Sequence, residues 1–198
     1  MKKTILFACS LFFANQLVKS QQLIISGQVG YAIGETKNWK KFMLLRGASA
    51  AVEWELNRMK AFKIGVGTGM LSFSSTNDTG VSVFTKKSML VLPVSIIKKY
   101  TISRTTIAYI ELGINNTLYF REKKEIFNSS GKTTKKINNT VFNVGALASI
   151  GVLTPISSRW NFGIAIGGHG DVFSFYKKGD EKFKSSSNVI NTSFSRKL

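Results

Sequence analysis

The 198-residue sequence contains one cysteine, two prolines and one histidine. Cys9 lies in the amino-terminal leader described below, so the rest of the chain can form no disulfide and carry out no thiol chemistry. A single histidine with no cysteine near it offers no Cys/His metal spacing. Beyond the first 20 residues no stretch repeats with a helical period. Acidic residues are scarce as well, with 10 Asp and Glu against 28 Lys and Arg, a formal net charge of +18. A charge of this size points to nucleic acid or to an anionic membrane surface. What is abundant is Gly, Thr, Ser, Asn and Phe, a composition that favours strands.

The first 20 residues read as a leader. Lys2 and Lys3 precede an apolar run from Ile5 to Ala14, and Val18-Lys19-Ser20 offers tolerable cleavage-site residues. That is the pattern of a secretory signal peptide, too short and interrupted to span a bilayer as a helix. Cleavage is expected after Ser20, leaving residues 21–198 as a single domain. Loss of Lys2, Lys3 and Lys19 lowers the formal charge from +18 to +15. Leu6-Phe7-Ala8-Cys9 resembles a lipoprotein box only loosely, because Phe7 is bulky and few apolar residues separate Lys3 from Cys9.

The remainder alternates with period two. In 104–120, Ala108, Ile110, Leu112, Ile114, Leu118 and Phe120 share one face with Asn116. Tyr109, Glu111, Gly113, Asn115, Thr117 and Tyr119 share the other with Ile107. Such alternation is a strand with two unlike faces. Similar segments at 22–34, 48–56, 62–73, 88–98, 140–152, 159–173 and 187–198 bring the total to eight. The segment 88–98 is apolar on both faces, which leaves its phase open. The connections 57–61, 99–103 and 153–158 are short; 35–47, 74–87, 121–139 and 174–186 are long and polar. Short and long connections in alternation mark an up-and-down barrel with its tight turns at one end.

Which face looks inward decides the environment. The mixed face gathers Gly65, Gly67, Gly69, Gly145, Gly151, Gly163 and Gly167 with Glu53, Glu55, Lys63, Glu111, Arg159 and Asp171. Small and charged residues together cannot form an oily core, but they can fill the narrow interior of eight strands. The apolar face is too extensive for water. It faces lipid, and a closed barrel pairs every backbone group there. The expectation is all-β: an eight-stranded antiparallel up-and-down transmembrane β-barrel preceded by a signal peptide, located in the bacterial outer membrane. The alternatives are a soluble lipocalin-like barrel around an apolar ligand, which needs the reverse orientation, and a small pore.

Candidate residues follow from the faces. Trp54, Phe62, Trp160 and Phe162 form one expected interfacial belt near the short turns, and Tyr31, Phe120 and Phe142 another near the long loops. Glu53, Glu55, Lys63, Glu111, Arg159 and Asp171 form an expected lumenal charge network, since buried charges need partners. Filling the barrel is favoured over lining a channel. Lys40, Lys41, Lys123, Lys124, Lys135 and Lys136 lie in basic loops suited to lipopolysaccharide phosphates and other surface anions. Solvation alone is an equal reading of them. Nucleic acid is not expected, because the loops lack interleaved aromatics on a packed face. Host or envelope proteins are further possible partners, and the chain is expected to be monomeric. His169 and Asp171 share a face, but no Ser on that strand completes a triad, so no enzymatic site and no cofactor are expected. The run from Gly163 to Gly168 lies on a strand with no following helix and is barrel glycine, not a phosphate loop.

One stretch carries a family resemblance. "MLVLPVSIIKKYTISRTTIAYIELGIN" resembles the small outer membrane β-barrel (PorT-like, "porin family") proteins of Bacteroidetes-type bacteria through Leu90, Leu92, Pro93, Tyr109 and Gly113. Val91 stands where a carboxylate is frequent, and Leu198 where a terminal Phe is common. The resemblance implies a barrel in the outer membrane and no single activity. Pro93 within a strand predicts a bulge or a break in pairing.

Overall fold

The alternation is realised as nine antiparallel strands in a computed structural model that describes residues 21–35, 40–76, 81–128, 131–138, 140–176 and 183–198. The strands are β1 (Gln21–Glu35), β2 (Lys40–Asn57), β3 (Lys60–Thr76), β4 (Ser82–Thr101) and β5 (Ile107–Asn128). After them come β6 (Gly131–Ile137), β7 (Val141–Pro155), β8 (Trp160–Tyr176) and β9 (Lys184–Lys197). The expected leader, 1–20, lies outside the described residues.

Pairing runs β4-β3-β2-β1-β9-β8-β7-β5, and β4 pairs with β5, so eight strands close into a ring without an edge. The closing seam joins the two ends of the described chain: Gln22 pairs with Lys197, and Leu198 N–H donates to Gln21 O at 3.0 Å. All eight expected strands are present, but longer than the alternation alone marked. Much of the four expected long loops is strand. The stretch 121–139, read as a loop, is a hairpin: β5 continues to Asn128 and turns back through Gly131 into β6, which pairs only with β5. Gly131 has φ of 128°, a backbone conformation that favours glycine. Lysine and threonine hid this hairpin, because no apolar face is buried there to impose a readable pattern.

The apolar face is outward. Leu112 is 60% exposed, Ile150 61% and Ile166 63%, while Tyr109, Glu111, Asn115, Thr117 and Tyr119 on the opposite face of β5 are buried. A lipocalin-like arrangement requires the reverse. Glycines on the inner face let the wall pack closely: a Cβ at Gly113 would run into the Val94 carbonyl oxygen. Pro93 breaks the ladder without shifting it. Ile64 pairs with Val94 and Gly67 with Val91 in one register, and the pairs between them are missing. Beside this gap the Asn116 amide donates to Leu92 O at 3.1 Å. A polar side chain on the lipid face thus supplies a donor next to a residue that has no N–H.

Candidate functional site in the lumen and on the basic hairpin

The interior is layered along the barrel axis. At the short-turn end Lys99 Nζ lies 2.6 Å from Glu53 Oε1 and 3.3 Å from Glu55 Oε1, and Gln22 also donates to Glu55 Oε1 at 3.3 Å. Beside it Ala61, Ile97, Tyr109 and Ala165 form a small apolar cluster backed by Leu153. Further in, Lys63 Nζ meets Glu111 Oε1 at 2.5 Å. Ser95 Oγ donates to the same oxygen at 2.6 Å, and Ser149 Oγ to Glu111 Oε2 at 3.3 Å. Both carboxylate oxygens of Glu111 are thereby engaged, as a buried charge requires.

These pairs border a cavity of about 110 Å³ with a mixed lining, polar at Gln28, Asn115, His169 and Asn191 and apolar at Val91, Leu147 and Val189. It has room for several waters. At its margin the Ser187 hydroxyl sits 2.9 Å from His169 Nδ1. Asp171 does not join them. It accepts from Tyr119 OH at 3.2 Å, Asn143 Nδ2 at 2.8 Å and the Ser185 N–H at 2.8 Å.

Toward the hairpin end the lumen becomes apolar. Met43, Leu45, Leu71, Met89, Tyr119, Val141 and Phe183 are all almost fully buried in one cluster. Phe183 packs edge-on against Tyr119 with ring centroids 4.9 Å apart. Lys87 Nζ lies 3.7 Å from the centre of the Phe183 ring and 3.3 Å from Glu122 Oε2. A cation over an aromatic face and beside a carboxylate caps the apolar layer with matched charge.

Two members of the expected network belong elsewhere, and three partners were missed. Arg159 is exposed in the turn before β8, because that strand begins at Trp160 and not at 159. Asp171 lies far along β8, in the hydrogen-bonded group around Asn143 and Tyr119. Glu53 is opposite Lys63 in register but takes its ion pair from Lys99. Lys99 was missed because the sequence reading placed it in the short connection 99–103, whereas β4 runs on to Thr101. Ser187 was missed because only cross-strand register reveals that it opposes His169. Phe183 was hidden in a segment read as loop.

Aromatic residues cluster on the outer face. Trp54 stacks on Phe62 at 6.0 Å, Phe162 contacts Phe194 at 5.3 Å, and the Arg196 guanidinium lies 5.6 Å above Trp160. Near the other end Phe142 contacts Phe175 at 6.1 Å, while Tyr31 and Phe120 are exposed.

Of the six lysines expected in loops, five are strand residues whose surroundings are described, and they divide by face. Lys41 turns toward the interior, its Nζ 5.1 Å from the Phe73 ring centre. Lys40 begins β2, and its side chain lies outside the described residues. On the hairpin Lys123 opposes Lys136 and Lys124 opposes Lys135. Glu125 binds Lys123 at 2.6 Å and Lys132 at 3.1 Å, and Glu122 binds Lys124 at 2.9 Å. Hydrogen bonds from Lys123 and Lys132 hold the Glu125 carboxyl down at about 2. For Glu122, partial burial pushes the carboxyl up, but Lys87 and Lys124 outweigh it and leave the group below its ordinary range. Among the described residues no group of three or more His, Cys, Asp or Glu is placed to hold a metal ion.

No family model matches the chain, and no curated protein is similar enough in sequence to count as a relative. Solved structures are similar in fold. Outer membrane protein OprG from Pseudomonas aeruginosa matches with a TM-score of 0.54 at 10% identity, over 90% of this chain and 96% of that one. Neisserial surface protein A matches with a TM-score of 0.46 at 7% identity, over 89% and 97% of the two chains. The translocator domain of the autotransporter NalP from Neisseria meningitidis gives 0.43 at 10% identity, over 98% and 97%. The apolar outer band, the closed ring of eight strands and the likeness to OprG together identify the fold as an outer membrane β-barrel.

Proposed function

We propose that the protein is an integral barrel of the bacterial outer membrane that does not conduct, and that its work is done at its extracellular surface. The observation that carries this reading is the double closure of the lumen. The Phe183 layer fills one end, and the Lys99–Glu53 pair with its apolar neighbours fills the other, leaving a small cavity between them. Eight strands enclose a space that side chains can fill, and here they fill it. With the interior closed, the extended β4, β5 and β6 with their lysines are the part left to meet other molecules. A structural or surface-interaction role follows, without enzymatic chemistry.

The test is reconstitution of the folded protein in planar bilayers. No steady ion conductance is expected. Steady conductance in wild-type protein would replace this reading with a small pore. Extraction supplies a second check: the barrel should leave membranes only with detergent, whereas a soluble carrier would not need it.

A further inference from the structure

A β-bulge sets the geometry at the root of the hairpin. Ser88 pairs with Arg121 and Met89 with Tyr119, so Phe120 has no partner of its own on β4. The extra residue re-aims the strand beyond it. Tyr119 is buried in the lumen, Phe120 and Arg121 are both exposed in succession, and Glu122 turns inward to Lys87. The outward face of β5 thus passes from an apolar band ending in Phe120 directly to a cation.

One row further along, Lys86, Lys123 and Lys136 stand directly opposite one another on β4, β5 and β6. At the strand spacing of a sheet the three span only about 10 Å. Like charges directly opposite one another destabilise a sheet. On this face Glu125 is the only carboxylate among the described residues, and it is committed to Lys123 and Lys132. Lys86 lies over the Phe84 ring at 5.0 Å and Lys132 over the Phe127 ring at 5.2 Å. Cations resting on aromatic rings, just beyond an apolar band, suit the headgroup layer of a membrane better than water or hydrocarbon.

We propose that this outward face, with Arg121, Lys86, Lys123 and Lys136, is a binding site for a phosphorylated lipid of the outer leaflet. The inference rests on the reading of the chain as an outer membrane barrel and names its partner chemistry. The acyl chains would lie along Leu90, Leu118 and Phe120, and the phosphates would meet the lysine row. The phosphates would offset the repulsion that the row otherwise carries.

The test uses the whole barrel refolded in phosphatidylcholine nanodiscs doped with bis-phosphorylated lipid A. Native mass spectrometry counts the lipid retained by each variant. The outward double substitution Lys86→Gln/Lys136→Gln should reduce retention about thirtyfold, from two charges lost at a membrane surface. The charge-matched Lys124→Gln/Lys135→Gln, on the opposite face of the hairpin, should stay close to wild type. Equal loss in both variants would reduce the site to net charge and overturn the proposal. So would equal retention of lipid A stripped of its phosphates, or equally tight binding of a deacylated, phosphorylated sugar, which would make the partner a soluble anion. Gel mobility of the unheated protein reports folding of every variant. Barrel closure is read separately by conductance, so loss of lipid binding and failure of the closed-barrel reading are distinguishable.

Discussion

Lys63 and Glu111 offer the sharpest test of the lumen. Their charged atoms are 2.5 Å apart, and two serine hydroxyls complete the shell around the carboxylate. Lys63→Met would leave Glu111 inside the barrel with only those hydroxyls. Glu111→Gln would leave the Lys63 ammonium without its counter-charge. Breaking a buried pair from one side costs about 3–5 kcal/mol. The neighbouring cavity and the Ser95 and Ser149 donors place these variants at the lower end, about 3 kcal/mol each. The double substitution leaves no orphan charge, so its cost should fall below the sum of the singles by about 2 kcal/mol. Urea unfolding of the refolded barrel in detergent or lipid, followed by the fluorescence of its three tryptophans, measures all three variants against wild type. Additivity within about 0.5 kcal/mol would refute direct coupling, and with it this picture of the lumen. Glu53 and Lys63, opposite one another in register, serve as a comparison. Glu53 is held by Lys99, so the Glu53–Lys63 cycle should show weaker coupling than the Glu53–Lys99 cycle.

Other predictions concern the two faces, the hairpin and the plug. Ile110→Arg or Val144→Arg should impair membrane insertion, since arginine near the midplane costs about 2–4 kcal/mol, whereas Asn191→Ala on the cavity wall should fold normally; a vesicle-folding assay reads the difference. The Asn143 amide donates to Asp171 and to Phe183 O, both at 2.8 Å, so Asn143→Ala should cost about 1–3 kcal/mol in the same unfolding measurement. The Glu125 carboxyl is depressed to about 2, so its contribution to hairpin stability is fully present above the ordinary 4.5 and is lost as pH falls through about 2. Amide hydrogen exchange at Ile126 and Phe127, corrected for intrinsic rates, should show that loss in wild type and not in Glu125→Gln. Phe183→Ala should raise the rate at which small ions cross the reconstituted barrel more than Tyr31→Ala does, since Phe183 fills the lumen and Tyr31 lies outside it.

Period-two alternation determined the strand number of the ring, its antiparallel order and which face meets lipid, because a strand with one apolar face has only one orientation that satisfies a bilayer. It also marked Glu53, Glu55, Lys63 and Glu111 as inward, since side-chain phase along a strand is a local property. What phase cannot give is register between strands, and register chooses partners. Lys99 and Lys63 both point inward, yet only the closed ring decides that Lys99 serves Glu53 and Lys63 serves Glu111. Arg159 illustrates the same limit at a strand end, where one residue separates an inward position from an exposed turn. The bulge at Phe120 reverses phase in mid-strand, so the outward row of Lys86, Lys123 and Lys136 appears only once β4, β5 and β6 are set side by side. Phe183 follows no strand pattern at all. It fills the lumen because the curvature of eight strands leaves a space of that size, a property of the closed wall and of no single segment.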